Sequence, residues 1–246
     1  MLADYKRERR RQSNLKFFKS ILVASHYMAE EYLRQGVPSE RVQVLPLFPA
    51  SIVPDRVEPK PLSDWTNKVM LMGRLTDLKG AGLVVQAVSA ASKRIGRRLT
   101  LVVLGDGPGR KPLEEQAATL DVQLELSSWK APEERNIAMR NSDALIVPSL
   151  WPEPFGLVGI EAGCVGLPSV AFDVGGISDW LEHGVSGRLA AQRPFSGEDL
   201  GRVLAEVLDN FVDHHRYRVG AWNVAQRYSE DRHINSLIQT LNRIRG

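Results

Sequence analysis

Short apolar segments alternate with helical ones along most of this 246-residue chain, and this alternation restricts its fold more than any other feature. The segments that are apolar at almost every position are 68–72, 100–104, 144–147 and 169–172. One more segment, 122–126, alternates between apolar and polar residues, as a strand with one covered face does. Helical periodicity lies between these segments, over 81–95, 111–120, 132–140 and 156–165.

Strands that are apolar on both faces predict a parallel sheet with helices packed on each side. Because the crossover connections are right-handed, we expect an α/β domain with a doubly wound, Rossmann-like sheet. In such sheets ligands bind beyond the carboxyl ends of the strands. The candidate binding loops are therefore 73–80, 105–109, 127–131 and 148–155.

A smaller strand–helix–strand unit precedes this core. Its elements are predicted at 21–24, 27–35 and 42–45. A proline-rich stretch follows, with Pro46, Pro49, Pro54, Pro59 and Pro61. Such a composition favours an extended linker.

These boundaries divide the chain into three predicted parts. Residues 1–48 form the small first unit, 49–66 form the linker, and 67–246 form the domain that contains the main sheet. Segment 198–245 has helical periodicity, so we expect this domain to end in helices.

Composition excludes several classes of protein. The single cysteine, Cys164, allows no internal disulfide and argues against a metal site built on thiolates. No run of about 18 apolar residues predicts a membrane-spanning helix, and no apolar stretch of the kind found in a secretory signal follows the N-terminal cations. We therefore expect a cytoplasmic protein.

The positive charge of the chain is local. A net charge of +3 does not favour a nucleic-acid partner, but Lys6, Arg7, Arg9, Arg10 and Arg11 cluster near the N-terminus. This cluster is consistent with a solvated helix end. It is also consistent with peripheral contact to anionic lipid at the inner face of the membrane, or with an acidic acceptor.

The strongest motif, PSLWPEPFGLVGIEAG at 148–163, joins a buried strand to a helix. The backbone N–H groups expected at the amino end of the helix are those of Phe155, Gly156, Leu157 and Val158. Together with the helix dipole they form an anion-binding site. Glu153 precedes the helix and Glu161 lies two turns inside it, so both suit a ligand that has hydroxyl groups beside its phosphates.

A purely structural role for these glutamates is the alternative. Glu153 would then cap the helix, and Glu161 would lie on the solvated surface. Glu161, however, is surrounded by small residues in the string EAG, where a solvated position is unfavourable. We therefore favour binding roles for both.

A second motif, GRLTDLKG at 73–80, brings two cations to the same edge of the sheet. Arg74 and Lys79 would stabilise the negative charge that builds on a departing diphosphate, and no metal is needed for this. An ordinary basic loop is the alternative.

Two glycine-rich loops carry weaker signals. The string LGDGPG at 104–109 resembles a dinucleotide fingerprint, but Arg110 stands where that fingerprint requires glycine. We interpret it as a tight turn that lets a ligand or a backbone segment pass near Gly105 and Gly107. The loop at Gly175 and Gly176 is equally consistent with a structural and a binding role.

Taken together, these strings resemble the group-one glycosyltransferases of the GT-B fold, of the family-four type. The resemblance extends over 15–245 and is densest over 70–189. Its most specific element is the spacing of seven residues between Glu153 and Glu161. It implies that the main domain is the C-terminal, donor-binding half of a GT-B fold.

The resemblance also implies an activity. The donor would be a UDP- or GDP-sugar, the acceptor a saccharide or lipid-linked molecule, and the sugar would be transferred with retention of its anomeric configuration. Neither a metal nor another cofactor is expected.

Roles for individual residues follow from the same resemblance. Arg74 and Lys79 would hold the diphosphate, Glu153 would contact the transferred sugar, and Glu161 would bind the ribose hydroxyls. The other residues of the expected donor site are Gly73, Gly105, Trp129 and Lys130, the last two beside the base, together with Phe155, Gly156, Leu157 and Val158.

Residues 1–48 resemble only the tail of the family's N-terminal, acceptor-binding domain. We therefore expect a truncated chain, or a partner chain that supplies the rest of that domain. A nucleotide-sugar-binding module without turnover is the main alternative function. A sugar-nucleotide epimerase is a weaker one, because its chemistry would favour a carboxylate or histidine pair in the cleft, and the histidines lie outside the candidate loops.

Overall fold

The computed structural model describes residues 14–55 and 58–245. Its strands are β1 (Ile21–Val23), β2 (Val42–Val44), β3 (Lys68–Met72), β4 (Thr100–Leu104), β5 (Gln123–Ser127), β6 (Ala144–Val147), β7 (Ser169–Phe172) and β8 (Gly187–Ala190). Its α-helices are α1 (His26–Arg34), α2 (Ala81–Ile95), α3 (Arg110–Thr119), α4 (Pro132–Arg140), α5 (Leu157–Cys164), α6 (Gly197–Val207), α7 (Phe211–Ala225) and α8 (Glu230–Arg245). The cluster of cations at Lys6, Arg7, Arg9, Arg10 and Arg11 lies outside the described residues.

A six-stranded parallel sheet forms the centre of the molecule, in the order β5-β4-β3-β6-β7-β8. β3 pairs with β4 along its whole length, from Lys68↔Thr100 to Met72↔Leu104, and with β6 on its other side. The chain leaves β3 towards one edge of the sheet and returns to the other edge through β6, which is the doubly wound arrangement. The predicted α/β, Rossmann-like fold is confirmed.

The composition of the strands explains where the core lies. β4, β6 and β7 are buried at every position, because helices cover both of their faces. β5, at one edge of the sheet, has no fully buried residue, which agrees with its alternating sequence.

Polar side chains define where several helices begin. Ser25, Ser196 and Asn210 precede α1, α6 and α7, and each side-chain oxygen accepts a hydrogen bond from a backbone N–H in the first turn. Such caps satisfy donors that have no partner within the helix. They therefore fix the register of these helices on the sheet.

The main sheet contains one strand that the sequence pattern does not predict. β8 pairs with β7 on one side only, and its sequence GRLA includes a cation and a glycine. Arg188 is tolerated there because its Nε donates a hydrogen bond to the hydroxyl of Tyr217, 2.8 Å away. The helices expected at 111–120 and 156–165 begin or end one residue away from the predicted positions.

The first unit is a parallel β1–α1–β2 arrangement, with Ile21 opposite Val42. The last helix packs on it: the hydroxyl of Thr240 donates to Gln43 Oε1 at 2.8 Å, and Lys19 Nζ donates to the carbonyl of Ile244 at 3.2 Å. The two ends of the described chain therefore lie together. Among the described helices, none combines the length and the apolar character that a membrane crossing requires.

The segment between the two sheets has no regular secondary structure, but it is anchored. Ile52 is buried, and the N–H of Asp55 donates to the carbonyl of Cys164 at 2.9 Å. The carboxylate of Asp55 also pairs with Arg140 on α4. The backbone carbonyl of Asp55 accepts a hydrogen bond from the indole of Trp222 on α7 at 2.7 Å. This segment is thus held against the main domain.

Candidate active site

A cavity of about 460 Å³ lies beyond the carboxyl ends of β3 and β6, where the strand order reverses. This is the position at which doubly wound sheets bind their ligands. The residues that line it are Leu47, Leu71–Leu75, Lys79, Ala81, Trp129, Arg135, Val147–Ser149, Glu153–Val158 and Glu161. The loops after β3 and β6 therefore supply most of its wall.

The loop after β3 is a 3₁₀ turn that places Lys79 against the loop after β6. Thr76 caps this turn by accepting from the N–H of Lys79, and the carbonyl of Leu78 accepts from the N–H groups of Leu150 and Trp151. Gly80 has φ +73°, and a Cβ there would lie 1.8 Å from the carbonyl oxygen of Pro148. Only glycine allows this approach of the two loops.

Lys79 and Glu153 form an ion pair inside the cavity. The Nζ of Lys79 lies 2.5 Å from Glu153 Oε1, and the hydroxyl of Ser149 donates to the same oxygen. Glu153 is buried, and its backbone carbonyl accepts from the N–H of Gly176 at 2.7 Å. Both the main chain and the side chain of this glutamate are thus fixed.

The amino end of α5 faces the cavity without a side-chain cap. Gly156, the residue before α5, has φ +92°, and no described residue accepts a hydrogen bond from the N–H of Leu157 or Val158. The preceding carbonyls are already engaged: Pro154 accepts from the hydroxyl of Ser25 and Phe155 from the indole of Trp180, each at 2.6 Å. The local geometry therefore leaves N–H donors and the positive end of the helix dipole available for an anion.

Arg74 lies in the same wall, on the loop after β3. Within residues 14–55 and 58–245, no carboxylate lies within 4.0 Å of its guanidinium. Together with Lys79 it gives the cavity two cations near the end of α5. Cations and free N–H donors around one cavity can stabilise a bound anion.

Glu161 also lines the cavity, beside Arg135 of α4 and Ser51 of the linker. Its Oε1 is 3.3 Å from Arg135 Nη1 and accepts from the hydroxyl of Ser51 at 3.2 Å. Burial raises the pKa of the Glu161 carboxyl above its ordinary value, and the charge of Arg135 and the hydrogen bond from Ser51 oppose this shift.

The structure brings most of the predicted site residues together. All of them line this one cavity except Gly105 and Lys130. Gly105 packs against the loop after β3, where a Cβ would lie 1.9 Å from the carbonyl oxygen of Gly73, so a backbone segment passes it. The Nζ of Lys130 lies 3.9 Å from Glu134 Oε2. Its neighbour Trp129 lines the cavity, and about half of its side chain is exposed. The roles of these residues in binding stay predictions.

Two lining residues, Leu47 and Arg135, come from segments that the sequence does not place near the site. Leu47 comes from the end of the first unit, and no local pattern places it near the main sheet. Arg135 had a detectable signal, because it precedes the fully buried Met139 by four residues and so shares its face of α4. A charge on a buried helix face requires a partner.

The histidines do not contribute to the cavity. His26 contacts the carboxylate of Asp179 at 2.9 Å, and His214 and His233 contact backbone carbonyls. Of the five histidines in the described chain, none lines the cavity wall. The cavity wall of the described chain thus offers no histidine pair of the kind that the epimerase alternative would favour.

The strand order and the cavity at its reversal place the chain among the doubly wound α/β proteins. Residues 55–221 match the family described as glycosyl transferases group 1. The matched region is more than half of the chain, and the chain therefore belongs to the group 1 glycosyl transferases. The resemblance stated from the motifs is confirmed.

Several curated proteins are similar to part of the chain. A D-inositol 3-phosphate glycosyltransferase from Nocardia farcinica is 35% identical over 130 residues, which cover 49% of this chain and 28% of that protein. A 2-deoxystreptamine glucosyltransferase from Streptomyces kanamyceticus is 30% identical over 182 residues, 68% of this chain and 46% of that protein. The chain spans less than half the length of these relatives.

Solved structures show the same fold at low identity. The complex of Anabaena HepE with UDP and glucose gives a TM-score of 0.76 at 20% identity, covering 94% of this chain and 67% of that chain. The pneumococcal O-GlcNAc transferase GtfA, in complex with UDP and GlcNAc, gives 0.72 at 18% identity, covering 92% and 45%. The main domain thus has the architecture of the Rossmann-like domains of GT-B proteins.

Proposed function

We propose that this chain binds a nucleoside-diphosphate sugar and supplies the donor side of a sugar transfer that retains anomeric configuration. The observation that carries the proposal is the single cavity that joins the uncapped end of α5, two cations, and the carboxylates Glu153 and Glu161. An anion site flanked by acceptors suits a ligand whose diphosphate lies between two hydroxyl-bearing rings.

Each part of the donor then has a partner. The diphosphate lies against the N–H groups of Leu157 and Val158 and between Arg74 and Lys79. The sugar hydroxyls lie near Glu153, and the ribose hydroxyls lie near Glu161. Trp129 is placed to contact the base.

The chemistry follows from these partners. As the bond from the anomeric carbon to the diphosphate oxygen breaks, negative charge grows on the departing nucleotide. Fixed cations and helix N–H groups stabilise that charge more than they stabilise the intact donor, so they lower the barrier.

The names of the similar proteins guide the choice of ligands. HepE and GtfA were solved with UDP, so UDP is the first nucleotide to test. The named acceptors of the curated relatives, D-inositol 3-phosphate and 2-deoxystreptamine, are small molecules rich in hydroxyl groups. For this chain we propose a saccharide or lipid-linked acceptor.

Nucleotide binding is tested by titrating the chain with UDP, GDP and ADP, with calorimetry and thermal unfolding as readouts. A ligand that binds the folded chain alone raises the unfolding midpoint. We expect one nucleoside diphosphate to raise it clearly and the matching nucleoside to have little effect. Absence of binding by all three nucleotides would refute the proposal.

Turnover separates a transferase from a binding module. Release of sugar from the donor is measured for the chain alone and for the chain joined to the N-terminal half of a group 1 relative. Transfer or hydrolysis in either form supports a transferase. Tight donor binding without turnover in both forms supports the module.

A further inference from the structure

Arg135 occupies an unusual position for a charged residue. Only 17% of its side chain is exposed, and it lies on the same face of α4 as the fully buried Met139. Its Nη2 donates to the hydroxyl of Ser51 at 2.6 Å, and its Nη1 lies 3.3 Å from Glu161 Oε1. Since Ser51 also donates to Glu161 Oε1, the three side chains form a closed triangle.

Stability does not explain this triangle. A buried ion pair is seldom more stabilising than apolar residues of the same size, because both charges lose their hydration. The Nε of Arg135 is also buried and has no hydrogen-bond partner among the described residues, which adds a further cost. An arginine at this position therefore requires a reason other than packing.

The orientation of Glu161 supplies that reason. Both contacts in the triangle fall on Oε1, and no described residue donates a hydrogen bond to Oε2. Holding one oxygen fixes the plane of the carboxylate, while the second oxygen stays available to the cavity that Glu161 lines. A carboxylate held in this way is ready to accept hydrogen bonds from a diol without losing rotational freedom when the ligand binds.

We propose that Arg135 is a positioning residue that, with Ser51, orients Glu161 to recognise the ribose of the nucleotide. The proposal rests on the proposed function, in which Glu161 binds the ribose hydroxyls. Arg135 itself acts on the carboxylate and does not contact the donor.

The test compares ribonucleotides with their deoxy forms. The affinities of UDP, GDP, dUDP and dGDP are measured for the wild-type chain and for Arg135→Leu and Arg135→Lys. We expect Arg135→Leu to weaken binding of the preferred ribonucleotide by about tenfold, the loss that one hydrogen bond to a charged group corresponds to. Binding of the deoxy form changes much less, so the preference for ribose falls towards one, and Arg135→Lys restores part of it.

Arg140→Leu is the matched control. Arg140 lies on the same helix and pairs with Asp55 of the same linker, but it does not line the cavity. The Arg140→Leu variant should have the same preference for ribose as the wild-type chain. An equal loss in Arg140→Leu would show that anchoring of the linker is responsible and would overturn the proposal.

A second pair of variants guards against a folding defect. Ser51→Ala removes the donor to Glu161 with a small change in volume, and we expect a smaller loss of ribose preference in the same direction. In a Glu161→Gln background, Arg135→Leu should have no further effect on that preference. Urea unfolding of each variant shows whether it folds. If Arg135→Leu does not fold, the ribose preferences of Ser51→Ala and Arg135→Lys test the proposal instead.

The two proposals can fail separately. If the wild-type chain binds no nucleoside diphosphate, the proposed function is wrong. If nucleotides bind and Glu161→Ala abolishes the ribose preference while Arg135→Leu keeps it, only the role of Arg135 is wrong. Tighter ribonucleotide binding by Arg135→Leu would also overturn that role, because Arg135 would then compete with the ligand for Glu161.

Discussion

Lys79 gives the most direct residue-scale test of the anion site, because its amine lies in the cavity wall beside the end of α5. We expect Lys79→Ala to weaken binding of UDP or GDP by about 1.5–3 kcal/mol, the value of a hydrogen bond to a charged group. Binding of the free nucleoside should change far less. Calorimetric titration of both ligands measures the difference.

Lys111→Ala is the control for this change. Lys111 lies on the surface of α3, with 84% of its side chain exposed and a partner 3.8 Å away at Glu115. Its loss removes the same charge without touching the cavity. Equal weakening of nucleotide and nucleoside by Lys79→Ala would show that Lys79 does not contact phosphate.

Gly156 tests the backbone at the start of α5. Its φ of +92° is unfavourable for other residues, and a Cβ there would lie 3.2 Å from the Nε1 of Trp180. We expect Gly156→Ala to lower the free energy of unfolding by about 1–3 kcal/mol, as is usual for a residue forced into such a conformation. Urea unfolding measures this loss.

Gly82→Ala should act in the opposite direction. Gly82 lies in the first turn of α2, and a Cβ there would meet no atom within 4 Å. Alanine is favoured over glycine in helices by up to about 1 kcal/mol. A Gly156 variant as stable as the Gly82 variant would contradict the backbone argument.

The residues of the site differ in how well the sequence predicts them. Glu153, Glu161, Arg74 and Lys79 lie within continuous motifs at the ends of strands, so local pattern and the topology of the sheet together place them. Leu47 comes to the cavity from a part of the chain far away in sequence, and only tertiary packing places it there. Arg135 lies between these cases, because the face it shares with Met139 is predictable but its partner is not.

At the scale of elements, His214 connects α7 to Asp143, the residue that precedes β6. Its Nε2–H donates to the carbonyl of Asp143 at 2.7 Å, while its Nδ1 is buried and has no partner among the described residues. Burial lowers the pKa of the imidazole, the bond to Asp143 opposes this, and the charges of Arg218 and Arg97 add to the effect of burial, so that the pKa is about 4. The folded chain therefore holds this histidine neutral.

The free energy of unfolding should consequently decrease as the pH is lowered through a defined window. Between about pH 6.5 and 4 the unfolded chain binds a proton at this histidine and the folded chain does not, so acid favours unfolding. The full effect is up to about 3 kcal/mol, from the pKa difference at 1.36 kcal/mol per unit. This stabilisation is fully present above the pKa of the histidine in the unfolded chain, and it is lost as the pH falls to about 4.

Urea unfolding from pH 7 to 5 measures this dependence. The raised pKa values of Asp143 and Glu161 act in the opposite direction, so a variant that removes only the titration of His214 is needed. His214→Gln retains a donor for the carbonyl but cannot titrate, so its stability should vary less with pH. Equal slopes for the two proteins would show that other groups cause the dependence.

Strands buried on both faces are the elements that the sequence predicts best. β3, β4, β6 and β7 have the predicted bounds, because continuous apolar segments of this length are suited to little else in an α/β domain. β8 escapes prediction because it is short and its cation is accommodated by Tyr217, a residue on a helix that follows later in the chain. Its place depends on a contact that no local pattern contains.

At the scale of the whole molecule, one hydroxyl joins the first unit to the loop before α5. The Oγ of Ser25 donates to the carbonyl of Pro154 at 2.6 Å and also caps α1. We expect Ser25→Ala to lower the free energy of unfolding by about 1–3 kcal/mol, because it removes a cap and leaves a carbonyl without its donor. Ser39→Ala, at an exposed position with no side-chain cap, should have little effect in the same urea titration.

A loss confined to the Ser25 variant would show that the hydroxyl of Ser25 stabilises the fold through these two contacts. The division of the chain at 48 and 66 stays a prediction. The contacts of Ser25, Leu47 and Thr240 show how closely the first unit packs on the main domain. Such packing depends on residues far apart in sequence, so the motifs alone do not predict it.

The ion pair between Lys79 and Glu153 has a consequence for turnover under the proposed function. An intact donor offers a partner to each of these residues, a phosphate to the amine and a sugar to the carboxylate. The nucleotide left after transfer offers only the phosphate, so it draws the amine away and leaves a buried carboxylate with the hydroxyl of Ser149 alone. Leaving a buried charge poorly partnered is costly, so we expect the tendency of this pair to re-form to oppose the hold of Lys79 on the spent nucleotide.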